Sequence, residues 1–331
     1  MKRLMIPLLL LFLLLGGCGK TAEKTNTEAE EPDKDVLMEV GDRPVDYREL
    51  LVYLDAVRRD YEVYYGPDIW DYSVSGEGDT IGSVVKDEVL SLVIRMKIIC
   101  SKANELNIFL SEEEMKEVDR LTADYMKKLE GSPILLEGVN ENVVRRLYND
   151  NLLAKKIYDT TTLNINTNVP DELAHQHHFY TIALKDAKIG VDGQREEYTE
   201  EEKEKIKFGL YEILEGWKKS EDKRAYAASK TEETRYTDLY IGPENNEYTG
   251  PVDLLKGMKD GEYSDITESD GFYRIYYCVA AFDIDATQEK KEEIIRERRK
   301  EAFENMYAGW KEETTVKLSR KVWESIDVFG K

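Results

Sequence analysis

The chain has 331 residues, of which 35% are charged, and its formal net charge at pH 7 is -21. This acidic balance argues against nucleic acid as a partner, because phosphate backbones attract basic protein surfaces. The three cysteines are far apart and form no C-x-x-C pair, so neither a disulfide framework nor a cysteine zinc site is indicated.

The N-terminus has the layout of a secretory signal. Lys2 and Arg3 precede the apolar run Met5–Leu15, which is too short to cross a bilayer as a helix. The next residues complete the tetrapeptide Leu15-Gly16-Gly17-Cys18, which resembles the bacterial lipobox. That resemblance implies that Cys18 carries a diacylglycerol and becomes the first residue of an extracytoplasmic, lipid-anchored chain. The alternative is an ordinary signal peptide with an incidental cysteine.

A polar tether follows the predicted anchor. Residues Gly19–Asp35 contain no large apolar side chain, so they cannot contribute to a core. The folded part is therefore expected from Val36 onward. It is rich in tyrosine, with 21 tyrosines against 8 phenylalanines in the whole chain. Tyrosine has an apolar body and a polar tip, which suits half-buried packing as well as surfaces that bind many partners.

Helix-start signals predict a mostly helical first part. Val36–Val40 predicts a strand, and Asp46 with Glu49 predicts the N-cap and capping-box partner of the helix that follows. Ser111 with Glu114 is a second capping box. The apolar periodicity predicts further helices over Ser83–Leu106, Ser111–Leu129 and Asn140–Tyr158, followed by a polar connector over Thr160–Pro170.

The pattern then changes to short strands and a helix, which predicts a small α+β unit. The predicted helix is Thr199–Lys219, and the predicted strands are Phe179–Leu184, Thr237–Ile241 and Phe272–Ala281. A charged helix from Thr287 then carries Phe303, Tyr307 and Trp310, which we expect to dock on the N-terminal helices. The last run, Val316–Val328, is expected to end as a strand.

The histidines His175, His177 and His178 are the only ones in the chain. A His-x-His step in a strand would place two imidazoles on one face, which makes a surface zinc or copper site an alternative. No cysteine and no clear set of carboxylates accompanies them. We therefore expect solvent-exposed histidines in a connector, and neither a metal nor another cofactor.

Two sets of motifs stand out for their order along the chain. The first set is Val40-Gly41-Asp42-Arg43-Pro44-Val45, the helix ending at Leu106-Asn107-Ile108, and Leu110-Ser111-Glu112-Glu113-Glu114. The second set is Leu254-Leu255-Lys256-Gly257-Met258-Lys259-Asp260-Gly261-Glu262-Tyr263-Ser264 followed by Gly271-Phe272-Tyr273-Arg274-Ile275. Together they resemble the parvulin-type foldases, the PrsA/SurA-like extracytoplasmic peptidyl-prolyl isomerases and chaperones.

The resemblance implies an α+β fold with a discontinuous chaperone domain. Residues 36–172 and a C-terminal helix over residues 286–331 would form this mostly helical domain. An inserted parvulin-like α+β domain would span residues 173–285. Residues 1–17 would be the lipoprotein signal peptide, and residues 18–35 the lipidated cysteine and tether.

The resemblance also implies a proline pocket whose two histidine positions are occupied here by Thr181 and Tyr273. Glu232, or its neighbour Glu233, is nearest to the acidic position of the family pocket. The implied apolar substrate contacts are Leu254, Leu255, Met258 and Phe272. Amide isomerisation needs orientation and polarity rather than a nucleophile, so the sequence leaves residual isomerase activity open. The preferred interpretation is that the two hydroxyls make plain core hydrogen bonds.

The implied function is that of a membrane-tethered foldase that binds unfolded secreted polypeptides, with weak or no prolyl isomerase activity. Its partners would be such polypeptides and the lipid bilayer, and the sequence leaves a homodimer open. The alternative is a solute-binding or structural adaptor lipoprotein. A solute receptor usually needs two lobes with repeated strand-helix alternation, which this sequence does not predict.

Overall fold

The computed structural model describes residues 35–74, 79–189, 194–230, 235–244 and 248–327. Cys18 and Glu232, like the predicted signal segment, lie outside these residues. The described chain is α+β, as predicted, and it divides into two compact units. The first contains the described residues up to Ile165 and those from Arg299 onward, and the second is Asn166–Arg298. No helix in the described ranges is both long and apolar enough to cross a membrane.

The elements are numbered in chain order. The strands are β1 (Val36–Val40), β2 (Arg43–Asp46), β3 (His177–Lys185), β4 (Ala187–Ile189), β5 (Arg195–Glu197), β6 (Arg235–Ile241), β7 (Thr267–Ser269), β8 (Phe272–Ala280) and β9 (Val316–Leu318). The helices are α1 (Tyr47–Tyr65), α2 (Ile81–Ser101), α3 (Ala103–Leu106), α4 (Glu112–Lys128), α5 (Glu141–Thr161), α6 (Asp171–Ala174), α7 (Glu200–Lys219), α8 (Lys223–Ala228), α9 (Val252–Lys256), α10 (Ile284–Glu313) and α11 (Arg320–Ser325), with 3-10 helices at Pro67–Asp71 and Pro133–Leu135.

Side-chain caps begin several of these helices where the sequence predicts. Ser111 accepts from the backbone N–H of Glu114, whose carboxylate accepts from the N–H of Ser111, which confirms the capping box of α4. Asp46 caps α1 by accepting from the N–H of Arg48. The prediction that Glu49 completes this cap is wrong, because Glu49 is buried and pairs with Lys97 and Arg146 instead.

The first unit packs its helices against a small antiparallel sheet of order β2-β1-β9. Of the predicted last run, β9 lies at the start and α11 follows, while its final residue Val328 lies outside the described residues. The C-terminal part of α10 contributes to the core of this unit. Phe303 is fully buried among Ile99 and Cys100 of α2 and Ile157 of α5.

The second unit is built on an antiparallel sheet of order β6-β3-β8-β7. Helix α7 covers one face with Leu210, Leu214 and Trp217. Helix α9 places Leu255 in the cluster on the other face. This architecture sandwiches the central strands β3 and β8, so almost every residue of these strands is buried or half-buried.

The expected connector of exposed histidines is also wrong. His177 and His178 belong to β3, and the side chain of His178 is buried. The β-branched and aromatic residues that follow favour a strand, and pairing with β6 extends that strand back to His177.

Candidate functional site

The predicted site residues Thr181 and Tyr273 lie on opposite faces of the second unit's sheet. Thr181 pairs directly with Tyr276 of β8, whereas Tyr273 pairs with Leu184 of β3. Directly paired residues share a face, and successive residues alternate between faces. Residues 181 and 184 are three positions apart in a regular stretch of β3. The expectation that Thr181 and Tyr273 line one pocket floor is therefore wrong.

The Thr181 side of the sheet is largely packed. Thr181 is buried and its hydroxyl donates to the carbonyl of Thr237 at 3.3 Å. Leu255 and Met258, two predicted substrate contacts, are buried in the cluster on this side. Leu254 is exposed. Of these three predicted contacts, only Leu254 can touch an incoming chain without rearrangement of the fold.

Phe272, the remaining predicted contact, starts β8 and is half-buried. The guanidinium of Arg274 lies 4.9 Å from the centre of its ring. Arg274 in turn donates to the carbonyl of Ser269 at 2.7 Å, so it is held by the turn between β7 and β8. The Phe272 ring is thus covered from one side by a positioned cation.

A tyrosine pair that the sequence did not predict supplies two further hydroxyls on the Thr181 side. The hydroxyls of Tyr248 and Tyr276 are 2.6 Å apart, and Tyr276 is fully buried. Burial and the bond to Tyr276 raise the pKa of Tyr248. Burial also raises the pKa of the Cys278 thiol to about 11. Tyr248 and Cys278 are therefore neutral near pH 7, so they can orient a hydrogen bond but carry no charge.

Tyr273 faces the cluster beneath α7 and behaves as a core residue. It packs with Ile182, Ile275 and Trp217. Its hydroxyl is buried and has no hydrogen-bond partner among the described residues. A shallow cavity of about 480 Å³ lies on this side of the sheet, lined by Tyr180, Tyr277, Val279 and residues 221–224.

His178 connects two carboxylates at one end of the same sheet. Its Nε2 lies 3.3 Å from Asp238 and its Nδ1 3.2 Å from Asp283. Asp238 also accepts from the Tyr236 hydroxyl at 3.0 Å and from Arg224 at 3.1 Å. Burial alone would raise the pKa of Asp238, but these hydrogen bonds and the Arg224 charge lower it below the usual range. The network ties β3, β6 and the start of α10 together.

The other two histidines stack on each other. The rings of His175 and His177 are 4.3 Å apart, and Nε2 of His175 bonds to the carbonyl of Ala281 at 2.6 Å. Burial and the neighbouring His175 lower the pKa of His177. Within the described ranges, no three His, Cys, Asp or Glu side chains are grouped as metal ligands would be.

A group of exposed apolar side chains lies at the C-terminal end of α1 in the first unit. We call it the aromatic patch; its members are Tyr61, Val63, Tyr64, Tyr65, Tyr72 and Val74. Tyr64 is 82% exposed and Tyr65 is 67% exposed. The Tyr65 ring contacts the rings of Tyr61 at 6.0 Å and Tyr64 at 6.4 Å.

The buried Trp70 packs against the aromatic patch through Tyr61. It is buried, its ring lies 5.6 Å from that of Tyr61, and its Nε1 donates to Glu62 at 3.0 Å. The backbone N–H of Ile81 donates to the carbonyl of Tyr72, and that of Val74 to the carbonyl of Asp79. These bonds hold the segment that carries Tyr72 and Val74 beside the start of α2. The exposed rings of Tyr61, Tyr64 and Tyr65 lie against one another, and exposed apolar surface of this kind marks interaction sites.

No protein-family model matches the chain, and no curated protein matches it. The chain is similar to solved structures of PrsA/SurA-like foldases from several bacteria. It is 11% identical to a structure from work on PEB4 and Cj1289, two SurA-like chaperones of Campylobacter jejuni, over 86% of this chain and 99% of that one, with a TM-score of 0.32. It is 16% identical to the peptidylprolyl isomerase PrsA of Bacillus cereus, over 79% of this chain and 98% of that one, with a TM-score of 0.33. It is 14% identical to the foldase PrsA of Streptococcus pneumoniae, over 76% of this chain and 96% of that one, with a TM-score of 0.29.

Proposed function

We propose that this protein is an extracytoplasmic foldase that is anchored to a membrane through Cys18 and holds unfolded secreted polypeptides. The observation that carries the proposal is the aromatic patch. Leaving apolar surface in water costs about 25 cal/mol per Å². A partner that covers the Tyr64 and Tyr65 rings, both more than half exposed, recovers that free energy. An unfolded chain offers such apolar side chains in any order, as a general holding function requires.

The first unit would be the chaperone domain. It is built from two separate stretches of the sequence. Its N-terminal stretch carries the patch, and its C-terminal stretch supplies β9, the third strand of the β2-β1-β9 sheet. Binding through exposed side chains on rigid elements needs no large rearrangement, so a client can be taken up and released readily. Self-association through the same patch would compete with client binding.

The second unit would bind extended segments with little or no prolyl isomerase activity. The barrier to rotation about a peptide bond is about 18 to 20 kcal/mol, and lowering it requires polar groups held around the rotating amide. On the Thr181 side the described polar side chains include Thr181 and the bonded pair Tyr248 and Tyr276. These hydroxyls already have partners within the fold, so few are free to act on a bound amide.

The test combines two assays on one preparation of the protein without its signal segment. The protein should suppress aggregation of an unrelated unfolded protein, and exchange of a short X-Pro peptide should stay close to its uncatalysed rate. The double change Tyr64→Ser and Tyr65→Ser should weaken suppression strongly. Phe109→Ser, which removes a 55% exposed ring elsewhere in the first unit, is the matched control and should have little effect.

Two results would contradict the proposal. Wild-type protein that leaves aggregation unchanged has no holding function. A large thermal stabilisation by one small solute, without any effect on aggregation, would favour the solute-binding lipoprotein instead.

A further inference from the structure

Exposed carboxylates occur in the same stretch of chain as the aromatic patch. Residues 60–85 include no lysine or arginine. Asp60, Asp68, Asp71 and Asp79 are exposed. In the part of the chain that the structure describes, none of these four forms an ion pair. The stretch of chain that carries the exposed tyrosine rings thus also carries four exposed carboxylates that form no described ion pair.

The cations that flank this stretch in sequence already have partners. Arg58 and Arg59 both pair with the fully buried Asp55, at 2.7 and 3.0 Å. Lys86 donates to the carbonyls of Trp323 and Ile326, at 2.8 and 2.7 Å. Each of these three cations therefore has its charge engaged by a buried acceptor or by a helix end.

A neighbouring titratable group is consistent with this negative field. The pKa of Asp87 in α2 is raised, chiefly by burial, and the charge of Asp79 adds to the rise although Lys86 opposes it. A negative field of this kind attracts cations and repels anions over about 10 Å at 0.1 M salt.

We infer that the aromatic patch selects unfolded segments in which apolar side chains are interspersed with lysine or arginine. This inference rests on the proposed function and names its substrate class. The tyrosine rings cover the apolar side chains and offer faces to the cations, and the four aspartates pair with them. A segment rich in glutamate or aspartate would be repelled by these four aspartates.

Two labelled unfolded peptides of equal length test the inference. They carry the same apolar residues at the same positions, one with lysine and one with glutamate between them. Fluorescence anisotropy at low salt should show the lysine peptide binding about tenfold more tightly, since each exposed ion pair contributes a factor of roughly two. Added salt should reduce this preference.

The decisive variant is the triple change Asp60→Asn, Asp68→Asn and Asp71→Asn, which keeps the size of each side chain. It should lower the preference for the lysine peptide about fivefold or more. The matched control is Glu130→Gln, Glu301→Gln and Glu312→Gln, which alters the net charge equally at exposed positions of the same unit. The control should keep the preference.

The outcomes separate this inference from the proposed function. If both peptides bind equally and aggregation is still suppressed, the inference is overturned and the holding function stands. An equal loss of preference in both triple variants would assign it to net charge rather than to the patch, and would also overturn the inference. If neither peptide binds and aggregation is not suppressed, the proposed function itself fails.

Discussion

At the residue scale, Tyr273 and Tyr276 show how strand register decides the role of a hydroxyl. They are three positions apart in β8 and face opposite sides of the sheet. The Tyr276 hydroxyl bonds to Tyr248, whereas that of Tyr273 is buried without a partner among the described residues. The motif alone aligns Tyr273 with a family histidine. Which face of the sheet the Tyr273 side chain lies on is set by the register between β3 and β8.

Tyr273→Phe is expected to leave stability unchanged or to raise it slightly, because it removes a buried hydroxyl that makes no described bond. Tyr276→Phe should lower the free energy of unfolding by about 1 to 2 kcal/mol, because it leaves the Tyr248 hydroxyl without its bond. Urea unfolding of both variants measures the difference. Prolyl exchange abolished by Tyr273→Phe would instead give that hydroxyl a catalytic role.

Lys97 shows how a buried cation stabilises the first unit. It pairs with Glu49 and, at 2.7 Å, with Asp150. Lys97→Met should cost about 3 to 5 kcal/mol, because the partly buried Asp150 would lose its cation and the buried Glu49 would keep only Arg146. Lys155→Met, at a half-exposed pair with Asp159, is the control and should cost less than about 1 kcal/mol. Equal costs would contradict the role given to Lys97.

The same pair predicts an alkaline limit to stability. Burial alone would lower the pKa of Lys97, but the charges of Asp150 and Glu49 raise it above the usual 10.5. The stabilisation is therefore fully present below pH 10.5 and is lost as the pH rises through the higher pKa of the folded state. Unfolding free energies measured up to that range should fall less steeply with pH in Lys97→Met than in the wild type.

At the element scale, the C-terminal part of α10 is an integral part of the first unit's core. Phe303 is fully buried and its ring lies 5.0 Å from that of Tyr158 in α5. Phe303→Ala should therefore lower the free energy of unfolding by about 3 to 5 kcal/mol. Phe109→Ala, at an exposed ring of the same unit, should change it by less than about 0.5 kcal/mol.

Truncation after Asp285 extends this test to the whole element. It removes Phe303 together with β9, which leaves β1 without one of its two neighbours. The first unit should then lose several kcal/mol of stability. Equal melting temperatures for the truncated and full proteins would show that the N-terminal helices fold independently of α10.

At the scale of the whole molecule, the prediction concerns the anchor. Cys18 follows a signal-like apolar run, and its lipid would hold the folded units at the membrane surface. Two or more acyl chains give stable retention, whereas one chain binds reversibly. Cys18→Ala should release the protein into the soluble fraction on detergent-phase partitioning. A variant that stays with the membrane would favour another anchor.

The sequence by itself determined the features whose signals are local. The Ser111 and Glu114 cap, strand β1 and the apolar face with Phe303 could all be read within one or two turns of chain, because capping and periodicity act between near neighbours. The order of short strand and helix patterns predicted the α+β class of the second unit, and the family resemblance implied that class for the whole chain. The predicted domain limits stay predictions, as do the roles of Cys18 and Glu232.

Only the tertiary structure decided which distant residues meet. Pairing between strands placed Thr181 beside Tyr276 rather than beside Tyr273, joined β9 to β1, and buried His178 between two aspartates. Likewise, Glu49 of α1 pairs with Lys97 of α2 instead of capping its own helix. A shift of one residue in strand register moves every side chain to the other face, and no pattern within a single strand records which register its partner takes.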